Sequence, residues 1–217
     1  MVGALHAAPR VHDLLLLRAE EVYPACMAEP AWVQRAMRRN PWVVVRRVNA
    51  PAGKVAVGVR GAERSQRWGG LVDTTQVVLI RRPFELRASL AHDSRKMVPA
   101  LHALGLVELE LADIDLSWGP FGSVGFELAS GDPVTTEASD LDLAVFASER
   151  IAPAMARDLW GALRCLPAKV DVRVETPYCG FSLEEYALQR SSKLLIRTPA
   201  GQRLVEDAWD VGEGDLK

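Results

Sequence analysis

The chain has 217 residues, 49% of them apolar and 25% charged. That is the make-up of a globular protein able to bury a core, and it excludes a low-complexity or disordered chain. A formal net charge of −2 hides an asymmetry: residues 1–100 carry 16 Lys and Arg against 8 Asp and Glu, a net of +8, whereas residues 101–217 carry 10 against 20, a net of −10.

Leu14 to Leu17 is the longest purely apolar run near the start, too short for a bilayer span or the core of a signal peptide. No membrane is expected, and the expected location is the cytoplasm. Cys26, Cys165 and Cys179 form no C-x-x-C and read as reduced thiols.

In chain order, His12-Asp13 leads into the apolar run at 14–17, as a polar cap does. Residues 29–40 place Trp32, Val33, Ala36 and Met37 at helical spacing behind Pro30, with Arg35, Arg38 and Arg39 mostly off that stripe. A β-branched run over 41–48, a Pro-Ala-Gly turn at 51–53 and a second run over 54–60 predict a hairpin. From Gly58 to Gly70 the chain is polar and glycine-punctuated. It carries Arg60, Arg64 and Arg67, guanidinium forks suited to phosphate or carboxylate, although a solvated loop has the same composition. A further strand is expected over 71–81 and a helix over 86–104, interrupted at Pro99. Residues 113–119 are expected to be a connecting loop.

The second half is more regular. A short helix is expected over 124–129, opened at Gly122-Ser123 and ended by Gly131 in the left-handed conformation. A polar turn over 133–139 leads to a strand over 140–146 that begins Asp140-Leu-Asp142. A helix is expected over 148–166, with Ile151, Met155, Leu159 and Leu163 as its apolar stripe. Val170 to Glu175 alternates strictly, with Asp171, Arg173 and Glu175 on one face. Ser182 to Glu185 reads as a capping box for a last helix to about 192. A second hairpin turns at 199–201.

The chemistry gathers between Gly119 and Asp171. A helix N-terminus carries partial positive charge and free N–H groups, a natural seat for phosphate. Carboxylates at i and i+2 of a strand share a face and can hold a hard divalent cation. If the strand bearing Asp171 neighbours the one bearing Asp140 and Asp142, three carboxylates converge, and Glu175 is an alternative third. Two aspartates flanked by leucines are a costly way to enter a buried strand unless paired or metal-bound. Plain alternatives exist for the others: an ordinary helix cap for Gly122-Ser123, and an ion pair with Arg173 for Asp171.

Gly122-Ser123, a short helix, Ser139-Asp140-Leu-Asp142-Leu and an aspartate on the next strand together resemble the polymerase-beta-like nucleotidyltransferase superfamily. Arg10-Val-His12-Asp13, Pro41-Trp-Val-Val-Val-Arg46-Arg47, Val57-Gly58-Val-Arg60-Gly61, Trp118-Gly-Pro-Phe-Gly122-Ser123 and Asp171-Val-Arg-Val-Glu175-Thr-Pro177 narrow that. Over nearly its whole length the chain resembles the malonate decarboxylase holo-acyl-carrier-protein synthases, the phosphoribosyl-dephospho-CoA transferases. One departure is a longer spacing from Ser123 to Asp140 than in minimal nucleotidyltransferases.

The resemblance implies an α+β architecture: a small basic α+β domain over 1–83, binding donor or carrier, and a nucleotidyltransferase domain over 84–217 with a mixed sheet and flanking helices. It implies transfer from triphosphoribosyl-dephospho-CoA to a serine of the apo acyl-carrier subunit of malonate decarboxylase, with pyrophosphate released. Asp140, Asp142 and Asp171 would be catalytic and hold two Mg²⁺ ions. Gly122, Ser123, Arg60, Arg64 and Arg67 would bind substrate, and nucleic acid is not the expected partner. A generic NTP-dependent nucleotidyltransferase acting on protein or RNA, or a non-catalytic nucleotide-binding module, would share parts of the pattern.

Overall fold

The computed structural model describes residues 8–18, 30–61, 63 and 65–216. Cys26 and Arg64 lie outside the described residues. The chain divides into two compact units, Met1–Arg81 and Arg82–Lys217, each mixing helices with one sheet. The architecture is α+β.

The first unit comprises β1 (Leu14–Leu17), α1 (Ala31–Arg39), β2 (Trp42–Val45), β3 (Lys54–Arg60), β4 (Arg67–Asp73) and β5 (Val77–Arg81). The strands make one antiparallel sheet in the order β4-β3-β2-β1-β5. Val43 and Val57 point one way from the pleat and, with Leu15, Val33 and Met37, are buried in a single core. Arg38 and Arg39 fall in the last turn of α1, where the helix dipole favours cations. Asp13 is buried and accepts from the N–H of Arg10 at 2.8 Å, closing the turn that leads into β1.

The structure sharpens one reading in this unit and overturns another. The polar stretch 58–70 is not all loop, because β4 already begins at Arg67. The run 71–81 is two strands parted by a 3₁₀ turn at Thr74–Gln76. There the N–H and hydroxyl of Thr74 both donate to the carbonyl of Gly53, drawing the chain back to the first hairpin turn.

The second unit opens with three short 3₁₀ turns, Pro83–Glu85, Ala88–Leu90 and Asp93–Arg95. Then follow α2 (Pro99–Glu110), β6 (Ser117–Pro120), α3 (Gly122–Ser130), β7 (Leu141–Phe146), α4 (Pro153–Leu163), β8 (Val170–Glu175), β9 (Gly180–Ser182), α5 (Leu183–Leu188), β10 (Leu194–Thr198) and β11 (Gly201–Val205). The sheet order is β11-β10-β9-β8-β7-β6. Every pair is antiparallel except β7 with β8, which α4 connects in parallel. Leu141, Leu143, Val145, Val172 and Val174 are buried, as are Leu104 and Val107 of α2, Val124 of α3 and Leu159 of α4.

Here too the structure corrects several expectations. Pro99 does not interrupt a helix but starts one, since at the first helical position its missing N–H costs nothing. Residues 86–98 are turns instead. The expected loop 113–119 contains β6, which pairs with β7 from Ser117 onward. α4 is shorter than 148–166, and Met155 is 46% exposed while Ile151 is buried ahead of the helix. α5 stops at Leu188, with Gln189 left-handed at φ 45°. Its capping box is half made: the hydroxyl of Ser182 accepts from the N–H of Glu185, but the Glu185 carboxylate accepts instead from the N–H of Leu195. Among the described residues no helix is long and apolar enough to cross a membrane.

Candidate active site

The parallel pairing of β7 and β8 sets Asp142 directly beside Asp171. Adjacent parallel strands lie about 4.8 Å apart with register partners on the same face, so both carboxylates stand on one side of the sheet. The leucines and valines between them fill the other side. Asp140 precedes β7 by one residue and is exposed, with the Lys169 ammonium 3.9 Å from its carboxylate. Asp171 is half-buried and accepts from the Arg173 guanidinium at 3.1 Å. Glu175 lies four residues further along β8, about 13 Å at strand rise, and is buried opposite Phe146. Asp171, not Glu175, therefore faces Asp142.

Gly122 belongs to the same locus. Its φ is +62°, and a Cβ there would sit 2.1 Å from Oδ2 of Asp142. Only glycine allows both that backbone and the approach of the carboxylate to the start of α3. The N–H of Phe121 donates to the Asp142 carbonyl at 2.9 Å, stitching the helix start to β7. Ser123 follows in the first turn, where backbone N–H groups have no partner within the helix. Gly131, left-handed at φ +73°, ends the helix. Gly122 is expected from the sequence to admit phosphate, and in the structure its missing side chain also admits Asp142.

Among the described residues no three His, Cys, Asp or Glu side chains are gathered ready to hold a metal ion. The Arg173 guanidinium bonds the carboxylate of Asp171, and the Lys169 ammonium stands 3.9 Å from that of Asp140. The donor set itself, all hard carboxylate oxygens on or beside two neighbouring strands, suits Mg²⁺.

One network was not foreseen. Glu127, on α3, is buried and receives Nε of Arg95 at 3.0 Å, a second guanidinium nitrogen at 3.2 Å and the N–H of Thr135 at 2.8 Å. The same guanidinium also donates to the Thr135 carbonyl. Burial pushes the Glu127 carboxyl up, but the bonds from Arg95 and Thr135 outweigh it and hold the group below the usual glutamate range. The segment between Gly131 and Ser139, whose length is the departure noted in the sequence, is thereby anchored at Thr135. A lone glutamate on an otherwise apolar helix was the only sequence signal.

Arg60 and Arg67 belong to the first unit, where they are register partners on β3 and β4 and both exposed. Among the described residues neither side chain has an ion-pair partner. The structure does not bring these arginines and the aspartates together within one unit.

Two carboxylates in register beside a glycine-opened helix start can serve the transfer of a phosphorus-bearing group. Comparison with known proteins narrows that class. Residues 10–83 match the phosphoribosyl-dephospho-CoA transferase MdcG N-terminal domain, and residues 85–208 match the MdcG C-terminal domain. A phosphoribosyl-dephospho-CoA transferase of Pseudomonas putida is 39% identical over 95% of this chain and 98% of its own. Proteins of the same name from Pseudomonas aeruginosa and Klebsiella pneumoniae subsp. pneumoniae are each 36% identical, over 95% and 94% of this chain and 97% and 98% of theirs. No solved structure matches. The chain belongs to the phosphoribosyl-dephospho-CoA transferase family.

Proposed function

We propose that this protein transfers a phosphoribosyl-dephospho-CoA group from triphosphoribosyl-dephospho-CoA to a serine of the apo acyl-carrier subunit of malonate decarboxylase. The family supports the transferred group, and the register of Asp142 with Asp171 beside Gly122 is the observation that carries the chemistry.

In the step, the serine oxygen forms a bond to the donor's α-phosphorus while the bond from that phosphorus to the β-phosphate oxygen breaks, and pyrophosphate leaves. A serine hydroxyl is a weak nucleophile at neutral pH, so a base must take its proton. Asp171 serves as that base, and its tie to Arg173 fixes where the carboxylate points. The first turn of α3 offers N–H groups to the phosphates, with Gly122 leaving the backbone open and Ser123 donating its hydroxyl. Asp140, Asp142 and Asp171 would hold Mg²⁺, which when bound neutralises charge developing on the phosphate oxygens. Arg60, Arg64 and Arg67 supply positive charge that attracts an anionic donor or carrier from a distance. Cys165 and Cys179, neither in a disulfide among the described residues, accord with a reducing compartment, the cytoplasm.

Mass spectrometry of the apo-carrier after incubation with donor, Mg²⁺ and this protein tests the reading. One serine is expected to gain the mass of the phosphoribosyl-dephospho-CoA group. Gain of AMP when ATP is offered, with none from the donor, would replace the reading with a general nucleotidyltransferase.

A further inference from the structure

The face of the sheet that carries Asp142 and Asp171 continues across β9 onto β10. Arg173 pairs with Ser182, and Arg197 pairs with Gly180, itself the partner of Glu175. Register partners share a face, so Arg173 and Arg197 emerge on the side of Asp171. Both line a concavity of about 290 Å³ at the start of β8, together with Asp171, Lys169, Ser182 and Glu185.

Arg173 is engaged with Asp171, but the guanidinium of Arg197 makes no hydrogen bond or ion pair among the described residues. Burial and the neighbouring Arg173 hold Arg197 below the usual arginine range, although Asp171 and Glu185 pull the other way. Arg173 and Arg197, on strands either side of β9 and both facing the hollow, repel one another. An anion that both can fork removes the repulsion and fills the open donors. The guanidinium of Arg173 gives one nitrogen to Asp171 and carries five N–H donors in all, so it can meet an anion while still bonding that carboxylate.

We propose that Arg173 and Arg197 form a phosphate-binding clamp for the donor, next to Asp171. The proposal rests on the reading of the protein as a phosphoribosyl-dephospho-CoA transferase for the identity of the donor, not for the anion chemistry. Phosphate groups occur at two places in that donor, the triphosphate end and the diphosphate within the dephospho-CoA part.

Titration calorimetry with tripolyphosphate and, separately, with dephospho-CoA distinguishes them in the wild-type protein and in Arg197→Gln and Arg197→Lys. Loss of a charged, forked contact is expected to weaken one of the two probes by roughly ten- to a hundredfold in Arg197→Gln, with partial recovery in Arg197→Lys. Weakening of tripolyphosphate assigns the clamp to the triphosphate end; weakening of dephospho-CoA assigns it to the diphosphate. Unchanged affinity for both probes in a variant whose circular dichroism matches wild type overturns the clamp. Carrier modification by the wild-type protein is read in parallel. Intact transfer with unchanged probe binding removes the clamp alone, whereas absent transfer with weakened probe binding removes the proposed reaction and leaves the clamp.

Discussion

Each of the two sheets sets a pair of like charges side by side, and they handle them differently. In the first unit Arg60 stands opposite Arg67, exposed and without an ion-pair partner among the described residues. In the second, Asp142 stands beside Asp171, and Arg173 on the same strand bonds the latter. Like charges directly opposite on neighbouring strands are destabilising. Where the protein supplies its own counter-charge, the carboxylate of Asp171 is held in a defined place. Where it supplies none, water and salt screen the exposed pair, and an anionic ligand or protein surface would relieve it further.

The sharpest way to break this contrast is to neutralise the internally balanced pair. Asp142→Asn or Asp171→Asn is expected to reduce transfer to the carrier by at least about a hundredfold, as loss of a metal-binding or basic group does. Glu175→Gln, altering a group well along the strand from Asp142, is expected to cost much less. Initial rates followed by mass spectrometry compare the three, and equal losses for all would erase the distinction between Asp171 and Glu175.

A second test applies the same rule to the buried carboxylate of α3. Arg95→Ala leaves Glu127 buried without its cation, and breaking such a pair costs about 3 kcal/mol, measured as a shift in urea unfolding. The pH dependence has a definite sign. The folded carboxyl of Glu127 lies below its unfolded value, so its stabilisation is fully present above an unfolded pKa of about 4.3 and is lost as pH falls through the folded value. Unfolding midpoints between pH 7 and 3 are expected to fall less steeply in Glu127→Gln than in wild type below that point. Parallel curves would remove Glu127 from the acid response.

The smallest effect belongs to the first sheet. Arg67→Ala relieves the facing arginines and is expected to raise stability by roughly 0.2–1 kcal/mol. It should also raise the KM for donor or carrier and flatten the salt dependence of transfer. An unchanged KM and salt response would leave that arginine pair without a partner to serve.

Much of the local structure was legible. Strict alternation marks β8, Pro-Ala-Gly marks the turn between β10 and β11, and Gly131 marks the end of α3. These signals lie within a few residues of the structure they specify. β6 was not legible, because Ser-Trp-Gly-Pro is too short to display a period and becomes a strand only through its pairing with β7. The spacing-by-four reading of α4 failed at Met155, since it was counted from Ile151, ahead of the helix, whereas the buried stripe runs through Ala156, Leu159 and Leu163.

The candidate site divides the same way. Asp140, Asp142 and Gly122 stand out by type and spacing, whereas the adjacency of Asp142 to Asp171 depends on a pairing between distant segments. Arg173 was legible as an ion-pair partner of Asp171, which the structure bears out, but Arg197 escaped notice because a single arginine on an alternating strand looks like any solvated residue. Only the register across β8, β9 and β10 puts them over one hollow.

The parallel join of β7 to β8 also has a temporal consequence. During synthesis Gly122, Ser123, Asp140 and Asp142 leave the ribosome before α4, and Asp171 follows only after it. A hairpin could have brought two such aspartates together at once, but parallel neighbours must wait for the helix that links them. A nascent or truncated chain ending before Val170 thus holds the phosphate-facing helix start and two of the aspartates without the third. On the mechanism above, such a chain lacks both the base for the serine proton and the two arginines proposed to clamp the donor, so transfer competence comes only with the strands that follow α4.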